Sequence, residues 1–165
     1  MSDDGHAIDP GTDIGHVHLK VSDLDRALGF WNGVLGFEVV ERWPDAAFLS
    51  AGGYHHHIGL NTWQSKGGPP PARGTTGLFH VAVRYPTRRA LAVAVRRLLE
   101  HGVCIDGVAD HGVSEAVYLR DPDQNGVELY RDRPRAEWPR RGDGSLAMVT
   151  DPLDLKGLLA DAEGS

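Results

Sequence analysis

Cysteine is nearly missing from this chain: Cys104 is the only one in 165 residues. A lone thiol makes no internal disulfide. That excludes a disulfide framework and a cysteine-based zinc site, and it fits a reducing cytoplasm. Long apolar runs are missing too. None approaches the ~20 residues needed to span a bilayer, and the acidic, polar start MSDDGHAIDPGTD does not read as a signal peptide. There is no surplus of base. Lys and Arg total 17 against 23 Asp and Glu, for a formal net charge of −6. With no long basic run, nucleic acid or an anionic membrane is not expected as the main partner. What remains is an ordinary globular composition, 41% hydrophobic, long enough for one domain or two small modules sharing a core. One residue is in excess. There are nine histidines, three of them consecutive at His55–His57.

Alternation and turn residues divide the chain. Residues 1–13 read as a flexible N-terminal arm. IGHVHLKV, residues 14–21, alternates strictly, as a strand with two unlike faces does. Ser22 and Asp23 offer N-cap oxygens to a helix with Leu24, Leu28, Trp31 and Leu35 at helical spacing, which Gly36 closes. Three strands are expected next, at 37–43, 46–50 and 54–63. QSKGGPPPARGTTG, residues 64–77, is a linker by its Gly and Pro content. The pattern then restarts with strand 78–85, a helix after Pro86-Thr87, and strands 103–106, 116–119 and 126–131. The expected fold is α+β, with two βαβββ modules (14–63 and 78–133) forming a curved mixed sheet with helices outside. A polar tail, 134–165, ends in a short helix candidate at Pro152–Ala162, capped by Thr150 or Asp151.

Parity within the strands selects side chains for chemistry. His16 lies opposite the Val17–Leu19–Val21 face, and His80 holds the same place in the second module. Glu128 lies opposite Val127 and Leu129 in AVYLRDPDQNGVELY, residues 116–130. Each crossover helix covers the apolar face, so all three polar groups fall on the other side. Two imidazoles and one carboxylate make a facial metal triad that leaves open positions and suits Fe(II). His18 shares the face of His16 and lines the pocket, but two residues off the ligand position it stays outside the metal set.

The stretches HVHLKVSDLDRALGFWNGVLGF, YHHHIGLNTW and YLRDPDQNGVELY, in their paired modules, resemble the vicinal oxygen chelate superfamily. Within it, small catechol 2,3-dioxygenase-like (type I extradiol) proteins are most similar, over residues 14–138. The resemblance implies His16, His80 and Glu128 as ligands of Fe(II), with Mn(II) as the alternative. It implies a His-His pair whose second member is the acid/base. His56-His57 matches, and parity favours His57, which shares a face with Gly59 and Asn61. It implies an active-site Tyr ten residues before the Glu, where Tyr118 stands. A further family histidine precedes that Tyr. His111 is the nearest candidate, and its reading stays open between a partner of Tyr118 and an exposed loop residue. The implied substrates are a catechol-type or hydroquinone-type diol and O₂, and the implied assembly is a cytoplasmic homodimer.

Two other functions belong to the same resemblance. One is a metal-dependent thiol transferase of the fosfomycin type, which also uses His, His and Glu. The other is a non-enzymatic binder like the bleomycin-resistance proteins, which needs no metal triad. The His-His pair and Tyr118 favour ring cleavage.

Overall fold

The computed structural model describes residues 7–163. Part of the expected arm, residues 1–6, lies outside them, and residues 7–13 are exposed. Module one comprises β1 (Val17–Lys20), α1 (Leu24–Leu28), β2 (Glu38–Arg42), β3 (Ala46–Ser50) and β4 (Ile58–Asn61). Module two comprises β5 (Val81–Arg84), α2 (Arg88–Glu100), β6 (Ile105–Asp110), β7 (Ser114–Arg120) and β8 (Gly126–Asp132). Each module folds into its own four-stranded sheet, in the orders β1-β4-β3-β2 and β5-β8-β7-β6. The first strand of each pairs parallel with the last, and the remaining pairings are antiparallel. The repeat read from the sequence is thus a structural repeat.

The element ends differ from the sequence expectation for local reasons. β1 begins at Val17, so His16 sits just ahead of it, and β5 begins at Val81, just after His80. The first helix keeps its Asp23 cap, whose side chain accepts from Arg26 N–H. It then loosens at Gly29–Val34 into a π-helical turn, with Leu35 N–H reaching Phe30 C=O at 2.9 Å. Gly36 ends it at φ +84°, a left-handed conformation that favours glycine. α2 follows the sequence closely. Thr87 caps it, and Leu91, Val95 and Leu98 are buried at helical spacing. In the tail, α3 is shorter than expected, Leu155–Ala160, and its cap is Asp154 rather than Thr150 or Asp151.

One core joins the modules, running from Trp31 and Phe37 through Leu60 to Leu98, Val117 and Leu129. The DPDQN turn of module two is gripped by module one. Buried Asp121 accepts from Trp31 Nε1 at 3.4 Å, and Asp123 meets Arg26 at 2.5 Å and Ser22 N–H at 3.1 Å. Asp121 also accepts the N–H groups of Asp123 and Asn125, which closes the turn. Burial pushes the Asp121 carboxyl up, against the hydrogen bonds from Asn125 and Trp31. α3 docks through buried Leu158 and through Asp161, which meets Arg88 at 2.7 Å. Arg88 in turn shares the buried Glu115 carboxylate with Arg131. Three charge-assisted contacts to Arg88 and Arg131 satisfy Glu115, as a buried carboxylate requires.

Candidate metal and active site

Module two brings a cluster of candidate side chains together from three adjacent strands. β8 places Glu128 opposite Ala82 of β5 on one side and Tyr118 of β7 on the other. Paired residues share a face, so these side chains project together. His80 closes the group, with Nε2 2.8 Å from Glu128 Oε2. It comes that near because Gly126 has no side chain: an added Cβ would collide with the Phe79 carbonyl oxygen and crowd His80 Cβ. Tyr118 Oη lies 2.7 Å from His111 Nε2, and His111 Nδ1 lies 2.9 Å from the Val149 carbonyl. A carbonyl only accepts, so Nδ1 carries the proton and Nε2 is left to accept from the Tyr118 hydroxyl. The tail is itself pinned here, since Asp110 and Asp151 exchange both backbone hydrogen bonds. Burial, and then the Glu128 carboxylate, push the Tyr118 hydroxyl up, so it keeps its proton at neutral pH. A cavity of about 290 Å³ opens beside His80 and Tyr118, bounded also by Phe79 and Arg120.

Module one gathers a second cluster around the start of β1. His16 and His18 project on the same side, with ring centroids 5.5 Å apart. His56 comes round from the bend before β4, 4.3 Å from the His16 ring and 5.6 Å from that of His18. Burial, then the neighbouring His16 charge, push the His18 and His56 imidazoles down. His57 turns to another part of the sheet. Its Nδ1 lies 3.3 Å from Ser50 Oγ and from Ala51 N–H, and the Tyr54 ring stands over it at 4.8 Å.

Every residue expected from the sequence is therefore placed, but in two groups. His80, Glu128, Tyr118 and His111 are together in module two; His16 and His57 belong to module one. Among the described residues, no hydrogen bond, ion pair or ring contact joins the groups. His16 instead meets His18 and His56, the three side chains whose ligand atoms all lie within 4.8 Å of one another. Strand parity had flagged His18 as a pocket residue. It gave no sign of His56, because the chain bends at residues 55–57 before the ladder of β4 begins.

A profile of the Glyoxalase/Bleomycin resistance protein/Dioxygenase superfamily matches residues 13–129. The chain belongs to this superfamily. It is 42% identical over 156 residues to a catechol-2,3-dioxygenase of Bacillus subtilis (strain 168), which covers 94% of this chain and 54% of that protein. It is 33% identical over 119 residues to biphenyl-2,3-diol 1,2-dioxygenase 3 of Rhodococcus globerulus, covering 72% of this chain and 63% of the relative. The chain thus spans little more than half the length of these relatives. Glutathione transferase FosA of Serratia marcescens is 26% identical over 117 residues, covering 71% of this chain and 79% of that one. In structure, a glyoxalase/dioxygenase from Nostoc punctiforme superimposes with a TM-score of 0.62 at 20% identity, over 78% of this chain and 97% of that one. That likeness is one of fold.

The superfamily's dioxygenases imply a divalent ion, and the module-two donors fit one. The 2.8 Å between His80 Nε2 and Glu128 Oε2 is near the ~3 Å expected between adjacent ligands whose bonds are about 2.0–2.2 Å. His80 Nδ1 is buried without a partner. Either nitrogen is therefore available if the ring turns over.

Proposed function

We propose that the chain is an extradiol ring-cleaving dioxygenase acting on a catechol-type or hydroquinone-type diol with O₂. The observation that carries this is the His80–Glu128 pair, held beside a ring-sized cavity with Tyr118 on the adjacent strand. The relatives named catechol-2,3-dioxygenase and biphenyl-2,3-diol 1,2-dioxygenase support the same chemistry. His16, His80 and Glu128 would hold the ion, Fe(II) or in its place Mn(II). When bound, that ion supplies the Lewis acidity that lowers the pKa of a diol hydroxyl.

The chain's own residues do the rest. Tyr118, protonated at neutral pH, donates to the ionised diol oxygen. Its alternative acceptor, His111, is held ready by the tail carbonyl of Val149. His57 would take the proton of the second hydroxyl and return it as the ring opens, once its ring turns from Ser50 and Ala51 toward the face of His16, where His56 already stands. Ala51 N–H can only donate, so His57 Nδ1 accepts from it and the neutral ring carries its proton on Nε2, with Ser50 Oγ also 3.3 Å from Nδ1. Phe79, Leu119 and Val127 line the cavity in which the ring of the diol would lie.

The proposed ligands lie in two groups within one chain, so we infer a homodimer in which a second copy's module one supplies His16 and His57. Exposed apolar residues flank both halves, Phe79 at 82% and Ile14 at 90% exposure, as expected of a surface that a partner covers. No described helix is long and apolar enough to cross a membrane, and a cytoplasmic site of action suits the single exposed thiol, Cys104.

The test is anaerobic reconstitution with Fe(II), addition of a panel of catechols and hydroquinones, then air. O₂ uptake with a yellow ring-opened product supports the reading. Turnover of a thiol and an epoxide with no O₂ uptake would replace it with the transferase chemistry that the FosA likeness offers. Binding without turnover of either would indicate a sequestering protein.

A further inference from the structure

We propose that Gly107 is a specificity-determining residue: the space over it admits a diol whose ring carries an uncharged, apolar substituent, and turns away one that carries a carboxylate. The inference rests on the ring-cleavage reading for the diol, and it names the class of diol.

Gly107 stands in the row of residues that holds Glu128. The strands lie in the order β5-β8-β7-β6. Their registers pair Ala82 with Glu128, Glu128 with Tyr118, and Tyr118 with Gly107. Paired residues share a face, so the four cross the sheet in one line, small at both ends. Neighbouring strands are about 4.8 Å apart, which puts Gly107 about 10 Å from Glu128, two strands away. A diol held at Glu128 and laid past Tyr118 brings the far side of its ring to Gly107.

The space there is open. A Cβ added to Gly107 would meet no neighbouring atom within 4 Å. The Gly107 backbone is not left-handed, unlike that of Gly112 at φ +73°, so conformation does not demand glycine. Glycine inside a strand weakens it and packs no side chain; what it leaves here is room. Gly107 and Gly126 both line the cavity of about 290 Å³ beside His80 and Tyr118. An apolar cavity of about 150 Å³ holds benzene, so this one takes a ring and a substituent up to the ring's own size.

The wall of the cavity decides what that substituent can be. The ladder between β6 and β7 slips between Ile105 and Gly107, which leaves Asp106 as a bulge. Asp106 accepts from Arg120 Nε at 3.1 Å, and Arg120 Nη1 donates to the Gln124 carbonyl, also at 3.1 Å. Arg120 lies two residues beyond Tyr118 on β7, on the same face, and is the cation an acidic substituent would need. With Asp106 on it, the pair offers no net charge. A carboxylate would meet Asp106 as well as Arg120 and would give up its hydration. An alkyl or aryl group on the glycine floor, against Phe79, leaves water with nothing to lose.

The experiment is calorimetric titration of the Fe(II)-loaded full chain, kept anaerobic, with catechol, propylcatechol and dihydroxybenzoate. O₂ uptake is then measured with each. Propylcatechol should bind tightest and dihydroxybenzoate weakest. Gly107→Val suits a strand and fills the space, so Tm and Mn(II) affinity should hold. It should weaken propylcatechol binding about tenfold or more, the scale on which a methylene is discriminated in an apolar pocket, and leave catechol nearly unchanged. Gly107→Ala, whose methyl has room, should fall between and serves if the valine variant is unstable. An equal loss for catechol and propylcatechol overturns the proposal. So does wild type that binds dihydroxybenzoate tightest, or that binds no diol. The expected order of binding without O₂ uptake from any diol upholds the preference and removes ring cleavage alone.

Discussion

Gly126 and Gly59 are where the absence of a side chain positions a candidate imidazole. Each leaves room that an imidazole or the backbone before it uses, His80 by way of Phe79 in one case and His18 in the other. Gly126→Ala forces a methyl against the Phe79 carbonyl, and overpacking of this kind costs about 1–3 kcal/mol. A lower Tm together with weaker Mn(II) binding, read by electron paramagnetic resonance, is the expected result. Unchanged Mn(II) affinity would mean that His80 is not the ligand. His57→Ala should retain the metal and lose turnover on the order of 10²–10⁴-fold, as for a general acid/base. If His56→Ala shows that loss instead and His57→Ala stays near wild type, the proton-transfer role moves to His56. The depressed His18 and His56 imidazoles also set a pH dependence. Between their folded pKa values and the ordinary 6.5, the unfolded chain binds more protons than the folded one. Their contribution to stability is therefore present above pH 6.5 and is lost as pH falls through the folded values. Metal-free Tm should rise with pH across that window, and the rise should flatten in His56→Gln.

At the scale of elements, β8 and the tail do most of the positioning. β8 carries Glu128 between β5 and β7, and the 149–151 segment pins His111 to β6. Asp151→Pro removes the N–H that bonds the Asp110 carbonyl at 2.9 Å, a loss of about 1 kcal/mol. It should lower kcat and alter its pH profile while Mn(II) affinity holds. Unaltered kinetics would mean that the tail has no part in holding Tyr118. Much of this was legible in the sequence where a side-chain pattern reports the backbone. Thr87 and the Leu91–Val95–Leu98 spacing gave α2, and alternation gave the faces of Glu128 and His80. The rest leaves no such mark. The bend at His55–His57 breaks the alternation, so His56 was not foreseen beside His16. The π-helical turn at Gly29–Val34 keeps the apolar spacing of an ordinary helix. The pairing of the tail with β6 runs through backbone groups, which every sequence has.

At the scale of the molecule, one shared core holds two modules whose polar faces each carry part of the proposed site. The repeat was visible as a repeat of motifs, but the way its halves meet depends on surfaces that no periodicity encodes. If a second copy completes the site, mixing His16→Ala chains with Glu128→Ala chains should restore activity, because some mixed dimers carry one intact site. Activity no greater than that of the separate variants would place the whole site within one chain. The central claim, that this protein opens a diol ring with both atoms of O₂, is tested most directly with ¹⁸O₂. Fe(II)-loaded protein given a catechol it turns over should yield a ring-opened product carrying both labelled atoms. A product with no label, or no product from any diol alongside thiol addition to an epoxide, would contradict it.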